Sequence, residues 1–329
     1  MADAYDTLQV NPRASDEVIR AAHDALVAVH AGDADRLKEI EDAWAALSSK
    51  ARRTKYDSER TDLKGKTIGN GKYRVLELIA EGGFGSTYKG EHVLLNEPVC
   101  IKHCEDISVA HDAILIQETK ALWGLSHHAL PVMHDLLRID DGSMALVMQL
   151  KEGLTIEQVV EKAGKLDPET TAWITERILN ALLYLHHHGI VHGDIKPQNA
   201  LVDQGTHSVY LIDFGLSAVR PRYSTKSQGY TPHFAPPEQE QEHGGTLVPA
   251  SDFFSLGVLM VYMLGGGMGP VERLQVPARI PTPMRDFIKR MISEKVTDRP
   301  QGDLFDMFRE VRAKSFGRAR SGMKPIPGL

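Results

Sequence analysis

Residues 192–199 read HGDIKPQN. An acid, Asp194, is followed two positions on by a cation, Lys196, and three further on by an amide, Asn199, with Pro197 fixing the backbone between them. Three side chains of such different chemistry in so short a stretch need three different jobs. Gly193 is unusual in the opposite sense, since it supplies no side chain where its neighbours supply several.

Upstream, IAEGGFGSTYKG at 79–90 reads as a glycine turn between two strands. Without a Cβ, backbone amides in such a turn can approach phosphate oxygens closely. Glycine-rich hairpins are common, so the turn gains weight only from VCIKHC at 99–104, where Lys102 lies between apolar residues on a short strand. A lysine on a buried strand needs an anionic partner. Glu118, on the helix that follows, can provide it and a bound phosphate can share it. Downstream, LIDFG at 211–215 adds Asp213.

These groups suit phosphoryl transfer, which asks a protein for metal ligands, cations and positioning more than for covalent chemistry. Asp194 suits a base that accepts a proton from an attacking hydroxyl. Lys196 suits charge neutralisation on the transferring group. Asn199 and Asp213 offer the hard oxygens that magnesium prefers.

Over about residues 66–312 the chain resembles a protein kinase of the eukaryotic type. The matching elements are AEGGFG at 80–85, VCIK at 99–102, Glu118, HGDIKPQN, the DFG at 213–215, APPE at 235–238, SDFFSLG at 251–257 and DRP at 298–300. Lysine two after the aspartate marks the serine/threonine class, and HGDIKPQN with APPEQ resembles bacterial members. The resemblance implies an α+β, bilobal fold with a strand-rich lobe at 73–150 and a helical lobe at 151–312. It implies ATP and Mg2+ as cofactors, a protein substrate, and nucleotide contacts from Ala80, Glu81, Gly82, Gly83, Phe84, Gly85, Thr87, Cys100, Lys102, Met148, Gln149 and Leu150. It implies Asp194, Lys196, Lys102, Glu118 and Thr231 as catalytic residues, with Thr231 bridging Asp194 and Lys196, and Asn199 and Asp213 on the metal. Glu238 and Arg299 are implied as a buried ion pair, and Asp252 as a brace for the backbone at 192–194.

Departures sharpen the expectations. Ala80 replaces the first loop glycine, while Gly82 and Gly85 keep the positions nearest the phosphates. Cys100 replaces an alanine and shares a strand face with Lys102. Gly193 stands where many relatives carry an arginine that grips a phosphorylated activation loop, so phosphates on Ser224, Thr225 or Ser227 are not expected to be needed for activity. The histidines at 186–188, with His127, His128 and His192, read as structural.

Residues 1–60 have a different texture. Ser15 before DEVIRAAHDALVAV is an N-cap signature, and Leu37, Ile40, Trp44 and Leu47 fall on one face of a second helix beginning near Asp33. AYDTLQVNPRASDEVIRAAHDAL and AWAALSSKARRTKYD resemble the two ends of a J domain. HAGDAD at 30–35 replaces the His-Pro-Asp loop through which J domains stimulate chaperones, so a docking or regulatory module with its own partner is the better expectation. Its basic stretch, Lys50 to Lys55, reads as a solvated helix face, with a face for an acidic partner as the alternative. A linker at 61–72 and a basic, flexible tail at 313–329 complete the expected organisation.

Composition limits the alternatives. The chain has 329 residues, 42% hydrophobic and 25% charged, with a net charge of −6, which argues against nucleic-acid and membrane-surface binding. Two cysteines exclude a disulfide framework and suit a reducing cytoplasm. MADAYDTLQV lacks the features of a secretory signal, and FFSLGVLMVYML at 253–264 is shorter than the ~20 residues of a spanning helix. A pseudokinase or scaffold reading would keep the fold without transfer, but Lys102, Glu118, Asp194, Asn199 and Asp213 are all present. A chaperone adaptor lacks its motif.

Overall fold

The computed structural model describes residues 3–12, 14–82, 85–104, 109–219, 221, 229–240, 245–318 and 324–326. Gly83 and Phe84, expected at the nucleotide, and Tyr223 to Ser227 lie outside the described residues. The chain is mixed α and β and divides into two compact units, Met1–Asp112 with Leu137–Ala145, and Ala113–Leu136 with Leu146–Leu329. Among the described residues no helix is long and apolar enough to cross a membrane.

The first unit opens with four helices: α1 (Ala4–Thr7), α2 (Asp16–Val29), α3 (Ala34–Leu47) and α4 (Lys50–Thr61). Their starts are written locally. Asp3, Ser15 and Asp33 each accept a backbone N–H of the turn they cap, satisfying donors that a helix start leaves open. Ile40, Ala43 and Leu47 of α3 bury against Tyr5, Leu8 and Ile19. The polar stretch after residue 48, expected to end this unit, is helix α4, and long-range bonds pin it. Arg53 donates from Nε to Tyr5 Oη at 2.9 Å, from Nη1 to Asp16 at 2.9 Å and from Nη2 to the Pro12 carbonyl at 2.8 Å. Tyr5 in turn donates to Asp57 at 2.7 Å, and its pKa is pushed up to about 12, chiefly by burial. Arg53 therefore turns inward and is not part of a basic face.

The segment expected as a linker is a strand and a turn. Leu63 and Ile68 are buried, and β1 (Thr67–Ile68) pairs antiparallel with β2 (Tyr73–Gly82). Next come β3 (Gly85–His92) and β4 (Glu97–Cys104). The sheet order is β1-β2-β3-β4-β6-β5, completed by β5 (Met133–Arg138) and β6 (Met144–Gln149). Alternation along β4 buries Val99, Ile101 and His103 and leaves Cys100 and Lys102 half-buried on the opposite face, as the sequence suggested.

The second unit holds the body of α5 (Val109–Leu122), then β7 (Leu154–Thr155), α6 (Ile156–Ala163), α7 (Pro168–His187), β8 (Ile190–Val191), β9 (Ala200–Asp203), β10 (Ser208–Leu211) and β11 (Ala218–Val219). Four helices close it: α8 (Pro249–Gly265), α9 (Met268–Glu272), α10 (Thr282–Met291) and α11 (Leu304–Phe316). The apolar run at 253–264 forms the middle of α8 and is buried on every side. One continuous core joins it to Trp173, Ile178 and Leu182 of α7, and to Phe287 and Phe308.

The expectation of a flexible tail is corrected where the tail is described. Arg318 bonds to Glu169, donating from Nε at 3.1 Å. Lys324 lies 3.1 Å from Glu169 and 3.4 Å from Asp167, and Ile326, 3% exposed, joins the core while its N–H donates to Gln204 at 3.0 Å. The acids that hold these basic residues stand about 150 positions upstream, at the start of α7.

Candidate active site

Two short β pairs frame residues 192–199. β8 pairs with β11 on the side where the segment begins, and β9 pairs with β10 where it ends. Pairing of Ala200 with Leu211 brings the neighbouring Ile212 N–H to the Asn199 carbonyl at 2.9 Å, so Asp213 follows directly beside Asn199.

Within this frame Asp194, 8% exposed, is held on both oxygens. Its Oδ1 accepts from the Thr231 hydroxyl at 2.5 Å. Its Oδ2 accepts from Asn199 Nδ2 at 2.8 Å and lies 2.8 Å from Lys196 Nζ, which also donates to Thr231 at 3.2 Å. A carboxylate offers about four lone-pair sites, so these three donors orient it and leave room for a further proton. The expected bridge from Thr231 to Asp194 and Lys196 is thus present.

Asn199 spends its second N–H on the Asp194 carbonyl at 2.9 Å, leaving its amide oxygen for another partner. Asp213 has φ of 62°, a left-handed conformation that costs a non-glycine residue about 1–3 kcal/mol and is typical of functional positions. Its Oδ1 accepts from Gly215 N at 3.2 Å. An amide oxygen and a carboxylate are a hard-oxygen set that fits Mg2+, which takes few protein ligands and completes its shell with water and phosphate. Glu118 of α5, 1% exposed, accepts from Phe214 N at 3.2 Å and so reaches the residue after Asp213.

Backbone braces surround the acid. His192 N and Gly193 N donate to the two oxygens of Asp252 at 2.9 and 2.8 Å, the brace expected from the sequence. His186 also meets Asp252, at 2.7 Å, which gives one of the three consecutive histidines a structural task. His192 packs on Phe214, 4.6 Å between ring centres, and its Nδ1 accepts from Asp194 N. Burial pushes its pKa down despite the acids nearby, so it is a neutral structural ring.

Arg299 spends all five of its donors. Nη1 and Nη2 meet Glu238 at 2.6 and 2.8 Å, and the rest reach the carbonyls of Ser293, Ala250 and Glu294. Two partners escaped the sequence reading. Ser251 donates to Glu238 at 2.9 Å, and the buried Gln239 donates to the Gly193 carbonyl at 2.7 Å. Their only signal was membership of the APPEQ and SDFFSLG elements.

In the first unit, Ala80 pairs with Thr87 and Thr87 with Lys102, so three of the expected nucleotide residues lie in one row across β2, β3 and β4. Glu81 is opposite Ser86 and Gly82 opposite Gly85. Gly85 has φ of 117°, and a Cβ there would lie 2.0 Å from the His103 carbonyl oxygen, so only glycine fits. In the second unit Met148 is buried, and Gln149, followed by the half-buried Leu150, donates its N–H to the Val132 carbonyl at 2.8 Å.

Comparison with known proteins agrees with this arrangement. The family model of the protein kinase domain matches residues 73–311. The chain belongs to the protein kinase family. Serine/threonine-protein kinase PrkC of Bacillus subtilis is 31% identical over 211 residues, covering 62% of this chain and 32% of PrkC. PknL of Mycobacterium tuberculosis is 33% identical over 202 residues, 59% of this chain and 49% of PknL. The kinase pkn3 of Myxococcus xanthus is 27% identical over 269 residues, 72% and 48%. This kinase-family chain therefore spans about a third to a half of the length of those relatives.

Proposed function

We propose that this chain is an active serine/threonine protein kinase that transfers the terminal phosphoryl group of ATP to a protein hydroxyl. The observation that carries the reading is the closed network around Asp194, in which Lys196, Thr231 and Asn199 orient one nearly buried carboxylate. A merely structural acid would not need a lysine and an amide from its own loop and a threonine from 37 residues away.

Asp194 takes the proton of the attacking hydroxyl on its remaining lone pair. Lys196 stabilises negative charge on the transferring group, and Thr231 holds both in register. Asn199 and Asp213 would hold Mg2+, which neutralises phosphate charge when bound. Lys102, Thr87, Cys100 and the turn from Ala80 to Gly85 in the first unit, and Met148, Gln149 and Leu150 in the second, are the residues assigned to the nucleotide. Gly193 makes the enzyme independent of activation-loop phosphate by this route, since position 193 carries no arginine to grip one.

Residues 1–60 form a J-like helical module that docks a partner or regulates the kinase domain, which covers 73–312 with lobes 73–150 and 151–312. The four-helix core and the cap residues support a self-contained module. The short α2–α3 connection at 30–33, which contains no proline, speaks for docking over chaperone stimulation. A cysteine count of two, Cys100 and Cys104, supports a reducing cytoplasm.

The test is phosphate transfer from radiolabelled ATP to generic protein acceptors by wild type, Asp194→Asn and Lys102→Ala. Loss of the base is expected to cost about 10²–10⁴ in kcat with nucleotide still bound. Wild type that binds ATP–magnesium and transfers nothing would make the chain a pseudokinase scaffold.

A further inference from the structure

Gln239 is 1% exposed and immediately follows Glu238, whose carboxylate is clamped by Arg299 and Ser251. Its backbone is set by a short 3-10 turn, Pro237–Gln239, with Gln239 N donating to the Pro236 carbonyl at 2.9 Å. From that rigid base the side-chain nitrogen donates to two carbonyls from different parts of the chain. One belongs to Gly193, at 2.7 Å, and the other to Gly229, at 3.2 Å.

Both carbonyls lead to Asp194. The Gly193 carbonyl is part of the peptide unit that carries the Asp194 nitrogen, so its orientation sets where the acid begins. Gly229 is two residues before Thr231, whose hydroxyl donates to Asp194 Oδ1. Gln239, Gly193, Asp194, Thr231 and Gly229 thus close a ring of covalent and hydrogen-bonded links. The ring contains no formal charge except Asp194 itself.

We infer that Gln239 is a positioning residue: a neutral amide ties the 192–199 loop to the returning end of the activation segment, the job that a phosphate gripped by arginine does elsewhere. The inference rests on the kinase reading and deepens it, because it names what holds the segment where Gly193 supplies no cation. A glutamine suits the task because its NH2 carries two donors from one atom, one for each carbonyl. A carboxylate in the same place would face two acceptors.

The test uses the full chain with Gln239→Met, which keeps volume and removes both donors, and Gln239→Glu, which keeps shape and reverses polarity. The readouts are kcat, KM for ATP, and hydrogen exchange at the Tyr230 and Thr231 amides. Gln239→Met should lower kcat about tenfold, the order of one buried hydrogen bond, with KM for ATP unchanged and faster exchange at both amides. Gln239→Glu should fall further. Variants with wild-type kcat and exchange overturn the inference, as does a loss that appears in KM for ATP with kcat intact. Should Gln239→Met not fold, the wild type decides: its Gln239 side-chain amide protons should exchange slowly, and exchange at the solvent rate overturns the tether. A wild type without transfer activity would sink the kinase reading alone, because the exchange measurements stand apart from turnover.

Discussion

Replacing Gly193 by alanine probes how the site is built. Gly193 has φ of 76°, a left-handed conformation that costs a residue with a Cβ about 1–2 kcal/mol. An added Cβ would also lie 2.8 Å from the Leu216 carbonyl oxygen and 3.1 Å from a Leu247 methyl. The leucine methyl can move, but the carbonyl sits in a turn closed by Ser217 bonds to the Phe214 carbonyl at 3.0 Å from the backbone and 2.7 Å from Oγ. Retreat of Gly193 itself strains the bond from its N–H to Asp252, the bond from Gln239 to its carbonyl, and the neighbouring bond from His192 N to Asp252. Losing one of them costs about 1 kcal/mol beyond the backbone strain. The total is about 2–3 kcal/mol, which lowers the melting temperature of a domain this size by roughly 4–12 °C. Gly193→Ala should show that shift by calorimetry and a fall in kcat, because the displaced peptide carries Asp194. Gly193→Arg should be at least as damaged and should gain no dependence on loop phosphate. An alanine variant within about 1 °C of wild type and fully active would refute both the close approach and the strain argument.

Two further outcomes concern other parts of the chain. Burial lowers the pKa of His103 to about 4, against opposing pull from Asp141 and Asp62, and its Nε2 meets Ser143 Oγ at 2.8 Å. The unfolded chain takes up this proton at higher pH than the folded one, so stability is full above about pH 6.5 and declines as pH falls toward 4, by up to about 3 kcal/mol. Urea unfolding from pH 7 to 4.5 should show the decline, and His103→Gln should flatten it; an unchanged slope would remove His103 as its source. At the other end, Arg318 and Lys324 hold the Glu169 carboxyl below its ordinary pKa, so the docking of the last segment is present above the usual carboxylate range and is lost as pH falls below that range through the lowered value. Glu169→Gln should speed tryptic cleavage after Arg318 at neutral pH, and a cleavage rate equal to wild type would show that Ile326 alone holds the segment.

The clustering of the site residues was legible because much of it is local in sequence. Asp194, Lys196 and Asn199 lie within six residues around Pro197, and the structure brings the three side chains together. Helix starts were legible for the same reason, since Ser15 and Asp33 cap turns only three residues away. The apolar run of α8 is long enough to declare its own burial. The alternation that puts Cys100 and Lys102 on one face follows from strand geometry alone.

What the sequence could not decide depends on where the chain returns. Nothing near Arg53 announces Pro12 and Asp16, and nothing near Arg318 or Ile326 announces Glu169 and Gln204. A basic, glycine-containing tail therefore read as loose, and a linker with two buried apolar residues read as free, until folding supplied their partners. Gln239 is the sharpest case, an ordinary polar residue whose two acceptors lie 46 and 10 positions away. Local patterns fix dihedral angles and capping bonds within a turn or two. Only the closed tertiary structure determines which distant carbonyl a buried donor meets, because burial removes the water that would otherwise satisfy it.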